Sequence, residues 1–83
     1  MQNKNASEMQ RVGHVKLFSV LEITNGTVSI FNIESCLPDG DFYFEEFPGK
    51  IFNSQSDRDN IIELLEHYRN GGIKAAEQYL QTL

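Results

Sequence analysis

The sequence has few of the residues on which small proteins often depend for stability or for chemistry. Tryptophan is absent, cysteine occurs once, and proline occurs twice among the 83 residues. Because Cys36 has no second cysteine to pair with, no intramolecular disulfide can form, and a reducing, cytoplasmic location is expected. No basic residue lies close to Cys36 in the sequence to favour a thiolate. We therefore interpret Cys36 as a small packing residue.

Long apolar runs are also missing. The longest uninterrupted apolar stretches contain two or three residues, far below the roughly 20 that a membrane-spanning helix needs. Residues 1–10 carry no apolar segment, so we expect no secretory signal and no membrane association. The hydrophobic content of 40% is nevertheless too high for a disordered chain. We expect a flexible tail over residues 1–11 and a single small domain over residues 12–83.

Positive charge is scarce and unevenly placed. Seven Lys and Arg residues face twelve Asp and Glu residues, for a net charge of −5, and residues 21–83 hold four of the bases and eleven of the acids. Such a field repels phosphates, which argues against direct nucleic-acid binding. One acidic segment has no base within it; its acids are Glu34, Asp39, Asp41, Glu45 and Glu46. We interpret it as a solvated loop, with a contact to a basic protein or imitation of nucleic-acid charge as alternatives.

The first half of the chain shows a period of two. Apolar residues alternate over residues 12–23 and again over residues 27–35, and Asn25-Gly26 between them is a strong signal for a two-residue hairpin turn. This pattern predicts an antiparallel β-hairpin. In that register both faces of the hairpin are apolar near the middle, so each face needs a covering element, a second subunit or a partner protein.

The second half predicts two more strands and two helices. Residues 41–47 and 50–53 flank a Pro48-Gly49 turn, and a helix begins after Ser56 with acids in its first turn. Gly71-Gly72 ends that helix, and a second helix follows over residues 73–83. The expected fold is α+β: an antiparallel hairpin, a third and a short fourth strand, and two C-terminal helices packed on one face of the sheet.

No combination of residues indicates catalysis. Glu63 and His67 share a helix face, but two ligands do not make a metal site, and an exposed charged face is the simpler interpretation. No serine lies in a G-x-S-x-G context, and no glycine-rich phosphate loop is present. We expect no enzymatic activity, no metal and no cofactor.

Recognition of another protein is the function that remains. The leading hypothesis is a small acidic module that acts as an accessory or inhibitory protein, a type common among phage and mobile-element products. Its expected binding surface is one face of the hairpin with two charged rim residues: Phe18, Val20, Phe31 and Ile33, with Lys16 and Glu22. The alternatives are a nucleic-acid mimic that uses the acidic segment, and a homodimer that buries the same apolar face.

Overall fold

Three short strands and three helices make up the described part of the chain. The computed structural model describes residues 12–83, and the predicted tail, residues 1–11, lies outside the described residues. In chain order the elements are β1 (Gly13–Val15), α1 (Leu17–Ile23), α2 (Ile30–Glu34), β2 (Asp41–Phe44), β3 (Ile51–Asn53) and α3 (Arg58–Leu80). A three-stranded sheet combined with three helices is a small α+β fold.

The sheet is mixed, with β2 in the centre and β1 and β3 at its edges. β1 runs parallel to β2, with Gly13 opposite Phe42, and β3 runs antiparallel to β2, with Phe52 opposite Phe42. Residues 16–40 connect the parallel pair and contain α1 and α2, which is the length that a parallel crossover requires. The predicted third and fourth strands are present as β2 and β3, but they are shorter than the predicted ranges 41–47 and 50–53. They are joined through the Pro48-Gly49 turn.

The predicted hairpin over residues 12–35 is wrong. Only Gly13–Val15 is a strand, its partner is β2, and the rest of the predicted hairpin forms α1 and α2. A short apolar run can fit both periods, and here the chain adopts the helical one. Leu17 and Val20 lie one helical turn apart and are fully buried, whereas Ile23, which alternation would place on the same strand face as Leu17, is 68% exposed.

The Asn25-Gly26 pair ends a helix instead of turning a hairpin. Asn25 has a φ of 55° and Gly26 a φ of 79°. The Gly26 N–H donates to the Leu21 carbonyl at 2.8 Å, and the Asn25 N–H donates to the Glu22 carbonyl at 3.1 Å. These two bonds form a Schellman motif, which satisfies carbonyls that the end of α1 would otherwise leave free. Positive φ angles are needed both in a tight hairpin turn and at the end of a helix, so the Asn25-Gly26 pair alone does not distinguish the two structures.

The last helix bends sharply at Gly72, as the two glycines predict. Helical backbone runs on both sides of Gly72, whose own φ of 78° and ψ of −163° are not helical. The Tyr79 hydroxyl lies 3.4 Å from Asn60 Oδ1, 19 residues earlier. A straight helix would separate these residues by about 28 Å, so the second part of α3 folds back along the first.

One face of the sheet packs against the helices. The fully or almost fully buried apolar side chains form a single cluster: Leu17, Val20, Ile33, Phe42, Phe44, Phe52, Ile61, Leu64, Leu65 and Ala76. The phenylalanine rings of β2 and β3 pack edge-on or tilted within it, with centroids 5.2 to 6.1 Å apart. No helix within residues 12–83 combines the length and the apolar character needed to cross a bilayer.

Candidate protein-binding groove

The structure separates the residues of the expected binding surface. Val20 and Ile33 are 0% and 1% exposed and belong to the core, so they cannot form an exposed face with their neighbours. Phe18 is 53% exposed on α1, and Phe31 is 87% exposed on α2. The expected rim residues Lys16 and Glu22 are exposed, as predicted. The expected surface is divided because these residues lie on helices: side chains that share one face of a strand point in different directions around a helix.

An open groove lies between α1 and the bend of α3, and we call it the α1–α3 groove. Its volume is about 710 Å³. Residues that line it from α1 and the following turn are Phe18, Leu21, Glu22, Asn25 and Gly26, and those from α3 are Tyr68, Arg69, Gly72 and Ile73. Two of the predicted binding residues, Phe18 and Glu22, are therefore in the groove. Phe18 and Ile73, 53% and 46% exposed, present large apolar surfaces to solvent.

A carboxylate from the turn after β2 holds α1 and therefore Phe18. Glu46 accepts hydrogen bonds from the Leu17 N–H at 2.7 Å and from the Phe18 N–H at 3.1 Å, one on each carboxylate oxygen. Both donors belong to the first turn of α1, which has no side-chain cap of its own. A negative group at this end is also favoured by the helix dipole. Glu46 thus positions one wall of the groove from 29 residues away.

Two glycines set the other wall of the groove. Gly72 allows the backbone conformation of the bend, and Ile73 follows directly after it. A Cβ on Gly71 would lie 2.6 Å from the Cβ of Ala75, closer than packed carbon atoms approach. The bend therefore requires glycine at Gly72 for its φ and at Gly71 for space.

The charges along the groove are not balanced. Arg69 is bound to Glu66, whose Oε1 accepts from Nε at 3.2 Å and from Nη2 at 2.9 Å. Within residues 12–83, Glu22 forms no salt bridge. The last turn of α1 contains no basic residue that would offset the negative end of its dipole. The α1 side of the groove is therefore negative.

The acidic segment does not form one free surface. Glu45 bonds His14 Nδ1 at 2.8 Å, Glu46 binds the start of α1, and Glu34 bonds Arg58 at 2.7 Å. Asp41 accepts from the Asn53 side chain at 3.0 Å. Four of the five predicted acidic residues therefore have intramolecular partners. Within residues 12–83, the Asp39 side chain forms no such bond. Local sequence shows the charges of this segment but not these distant partners.

A second, smaller cavity of about 270 Å³ lies near the start of α3. Its lining combines the Glu34–Arg58 pair with Asp39, Ser54, Gln55 and Leu37. The Ser54 hydroxyl accepts from the Gly40 N–H at 2.9 Å, which joins the loops before β2 and after β3. Ser54 thus connects the two loops, and the Glu34–Arg58 pair connects α2 to the start of α3.

The sheet face that points away from the core is partly open. Tyr43 is half-buried there, Ile51 is 49% exposed, and these two residues line a small cavity of about 150 Å³ with Val12 and Pro48. The His14 ring stacks on Tyr43 with centroids 5.5 Å apart. The sheet thus has one buried and one partly wet face, as is usual for a small sheet with helices on one side.

A polar cluster holds the two parts of α3 together. The His67 ring stacks on Tyr79 with centroids 4.8 Å apart, which joins the first part of the helix to the second. Burial raises the pKa of Tyr79 above the ordinary tyrosine value of 10.0, and the nearby Glu63 carboxylate raises it further as acceptor and as negative charge. Tyr79 is therefore a neutral structural side chain at physiological pH.

The other residues that were considered for chemistry are dispersed. Cys36 is half-buried, and its Sγ lies 3.3 Å from the Asn32 carbonyl. Glu63 and His67 do share the first part of α3, where His67 is occupied by the stack with Tyr79. Among residues 12–83, no three His, Cys, Asp or Glu side chains are grouped as metal ligands would be.

Sequence reasoning missed the α3 wall of the groove. Helical spacing from Ile61 puts Tyr68 on the inner face of the first predicted helix, and Ile73 opens the second; nothing in the local pattern places them beside Phe18. A usable signal was present, because Leu17, Val20, Leu21 and Thr24 follow the helical spacing i, i+3, i+4 and i+7. That reading places Phe18 about 100° around the helix from Leu17, outside the buried stripe.

Comparison with protein-family models, with curated proteins and with solved structures finds no significant match to this chain.

Proposed function

We propose that this protein is a small binding module, without catalytic activity, that recognises another protein through the α1–α3 groove. The observation that carries the proposal is the pair Phe18 and Ile73, two large apolar side chains about half exposed on opposite walls of one open groove. The module would act on its partner as an accessory subunit or as an inhibitor. Phe18 and Glu22, both expected from the sequence to bind a partner, belong to this groove.

The shape of the groove suits a protein segment better than a small molecule. Pockets for small molecules enclose most of the ligand surface, typically about 70–90%. The α1–α3 groove is shallow and open, and it would leave one side of any occupant in solvent. An extended or helical segment that adds its own apolar face is the usual ligand of such a surface. Phe18 is then the expected dominant contact, because buried aromatic anchors carry much of the energy of interfaces.

The walls of the groove are held before any partner binds. Glu46 fixes the start of α1, the Asn25 and Gly26 N–H groups close its end, and Gly72 sets the direction of the chain at Ile73. A surface that is already ordered loses less conformational entropy on association. These bonds therefore favour binding without a large rearrangement.

The two alternatives receive less support. Imitation of nucleic acid requires an array of free carboxylates, and four of the five acids in the acidic segment are bonded within the molecule. A homodimer through the groove would bring together two copies that each carry a charge of −5. Self-repulsion of that kind disfavours association at low salt.

Affinity capture with groove variants tests the proposal. Wild-type protein, Phe18→Ser/Ile73→Ser and Phe31→Ser would be immobilised and exposed to a lysate of the cells from which the protein comes. Phe31→Ser is the matched control, because Phe31 is 87% exposed but does not line the groove. Circular dichroism and thermal melting would first show that all three proteins are folded.

The expected result is a discrete protein that wild type and Phe31→Ser retain equally and the groove variant loses. The captured protein would then be purified, and its binding to the three proteins measured by calorimetry. Retention by the groove variant with loss by Phe31→Ser would move the binding surface to α2. If the captured protein binds wild type and both variants equally, or if no protein is captured, the groove is not a binding site and the proposal fails.

A further inference from the structure

We propose that the occupant of the α1–α3 groove is a basic amphipathic segment, with a large apolar side chain between Phe18 and Ile73 and a Lys or Arg side chain near Glu22. This inference rests on the proposed function and adds the chemistry of the partner. It is carried by the charges around the groove.

Glu22 supplies the first part of the argument. It is exposed, lines the groove, and forms no salt bridge within residues 12–83. Arg69 on the opposite wall is the only cation among the lining residues, and both of its bonded nitrogens donate to Glu66. A carboxylate at the edge of an apolar surface is well placed to receive a cation from a partner, because the surrounding surface becomes drier on binding.

The ends of the helices supply the second part. Asn25 and Gly26 bring the C-terminal end of α1 to the groove, and Gly72 does the same for the first part of α3. The C-terminal end of a helix carries partial negative charge, and α1 has no basic side chain in its last turn to offset it. Glu22 and the end of α1 thus act on the same side of the groove.

The charge of the whole molecule discriminates among possible occupants. A net charge of −5 attracts basic segments and repels acidic proteins, nucleic acids and a second copy of this chain. The apolar walls require that the same segment also carry large apolar side chains. A segment with apolar and basic residues about one helical turn apart satisfies both requirements.

Selection from a random peptide library tests the inference without knowledge of the natural partner. Phage that display random 16-residue peptides would be selected on wild-type protein and depleted on Phe18→Ser/Ile73→Ser. The expected peptides combine a large apolar residue with Lys or Arg three or four positions away. Synthetic versions would be measured by fluorescence anisotropy against wild type, Glu22→Gln and Glu77→Gln.

Glu22→Gln should weaken the selected peptides by about two- to fivefold, the range for one partly exposed ion pair. The control Glu77→Gln removes the same charge at an exposed residue that does not line the groove, and it should leave affinity almost unchanged. Affinity for wild type should fall as salt rises, and more steeply than for Glu22→Gln.

The outcomes separate this inference from the function on which it rests. Peptides that depend on Phe18 and Ile73 but are neutral or acidic, or that bind Glu22→Gln as well as wild type, would overturn the basic partner and leave the binding groove standing. A library that yields no peptide dependent on Phe18 and Ile73 would overturn both. A dimer of wild type in sedimentation, broken by Phe18→Ser/Ile73→Ser, would make a second copy the occupant and overturn the inference.

Discussion

The two walls of the α1–α3 groove are built by helices that differ in what holds them. α1 has seven residues, and both of its ends need help: Glu46 binds its first N–H groups, and the Asn25-Gly26 turn satisfies its last carbonyls. α3 has 23 residues and is interrupted only at Gly72. Helices as short as α1 are marginal in isolation, since nucleation is costly and few bonds follow it.

The difference shows where each wall is vulnerable. The position of Phe18 depends on a contact between residues distant in the sequence, whereas the position of Ile73 depends on the backbone freedom of one residue beside it. A change at Glu46 should therefore loosen α1 and leave α3 intact. A change at Gly72 should disturb the fold-back of α3 and leave the start of α1 intact.

The largest effect is expected from Gly72→Ala. The φ of 78° and ψ of −163° at Gly72 lie in a region that is almost restricted to glycine, and forcing another residue into it costs of the order of 1–3 kcal/mol. If the helix straightens instead, Tyr79 loses its contact with Asn60 and His67. Urea unfolding monitored by circular dichroism would measure the loss of stability.

Gly49→Ala is the matched control for this prediction. Gly49 has no positive φ, and a Cβ built there meets no atom within 4 Å. We expect its stability to match wild type within about 0.5 kcal/mol, the usual range for a surface substitution. Equal stability of Gly72→Ala and Gly49→Ala would contradict the assigned role of the bend.

The next largest effect is expected from Glu46→Ala. The substitution removes both acceptors from the first turn of α1, and loss of a helix cap with a favourable charge costs about 1–2 kcal/mol. Hydrogen exchange should show faster exchange at the Leu17 and Phe18 amides, with little change in the first part of α3.

Glu45→Ala provides the control beside it. Glu45 is the exposed partner of His14, and exposed ion pairs contribute about 0–1 kcal/mol. The α1 amides should then exchange as in wild type. If Glu45→Ala and Glu46→Ala accelerate these amides equally, the carboxylate of Glu46 does not hold the helix.

The smallest effect is expected in the pH dependence of stability. It involves Tyr79 in the second part of α3 and Glu63 in the first part. The raised pKa of Tyr79 means that the folded protein keeps the phenolic proton at a pH where the unfolded chain releases it. The resulting stability is fully present below about pH 10, the unfolded value, and is lost as pH rises through the folded value. In Tyr79→Phe this loss is absent, so unfolding midpoints should fall less between pH 9 and pH 11, as read by urea titrations.

Glu63→Gln sharpens the same prediction. It removes the negative charge that adds to the burial effect, so its alkaline loss of stability should fall between those of wild type and Tyr79→Phe. Identical pH dependence in wild type and Tyr79→Phe would show that Tyr79 titrates alike in the folded and unfolded states.

The sequence by itself determined most of the second half of the molecule. Several local signals agree with one another: the three consecutive aromatic residues within 41–44, the Pro48-Gly49 turn, the helical spacing of Ile61, Leu64 and Leu65, and Gly71-Gly72. Agreement between propensity and pattern leaves little room for another structure. The sequence also assigned Phe18 and Glu22 to the expected binding surface, although it placed them on a strand instead of on a helix.

Only the tertiary structure decided the first half and the groove. Residues 17–23 fit an alternating pattern and a helical pattern, and a run of seven residues is too short for periodicity alone to choose. The choice depends on contacts that local sequence does not contain. Glu46 accepts a hydrogen bond at the start of α1, and Leu17 and Val20 are both buried in the same core. The groove likewise exists because α1 packs beside the bend of α3, which brings Phe18 and Ile73 to opposite walls of one surface.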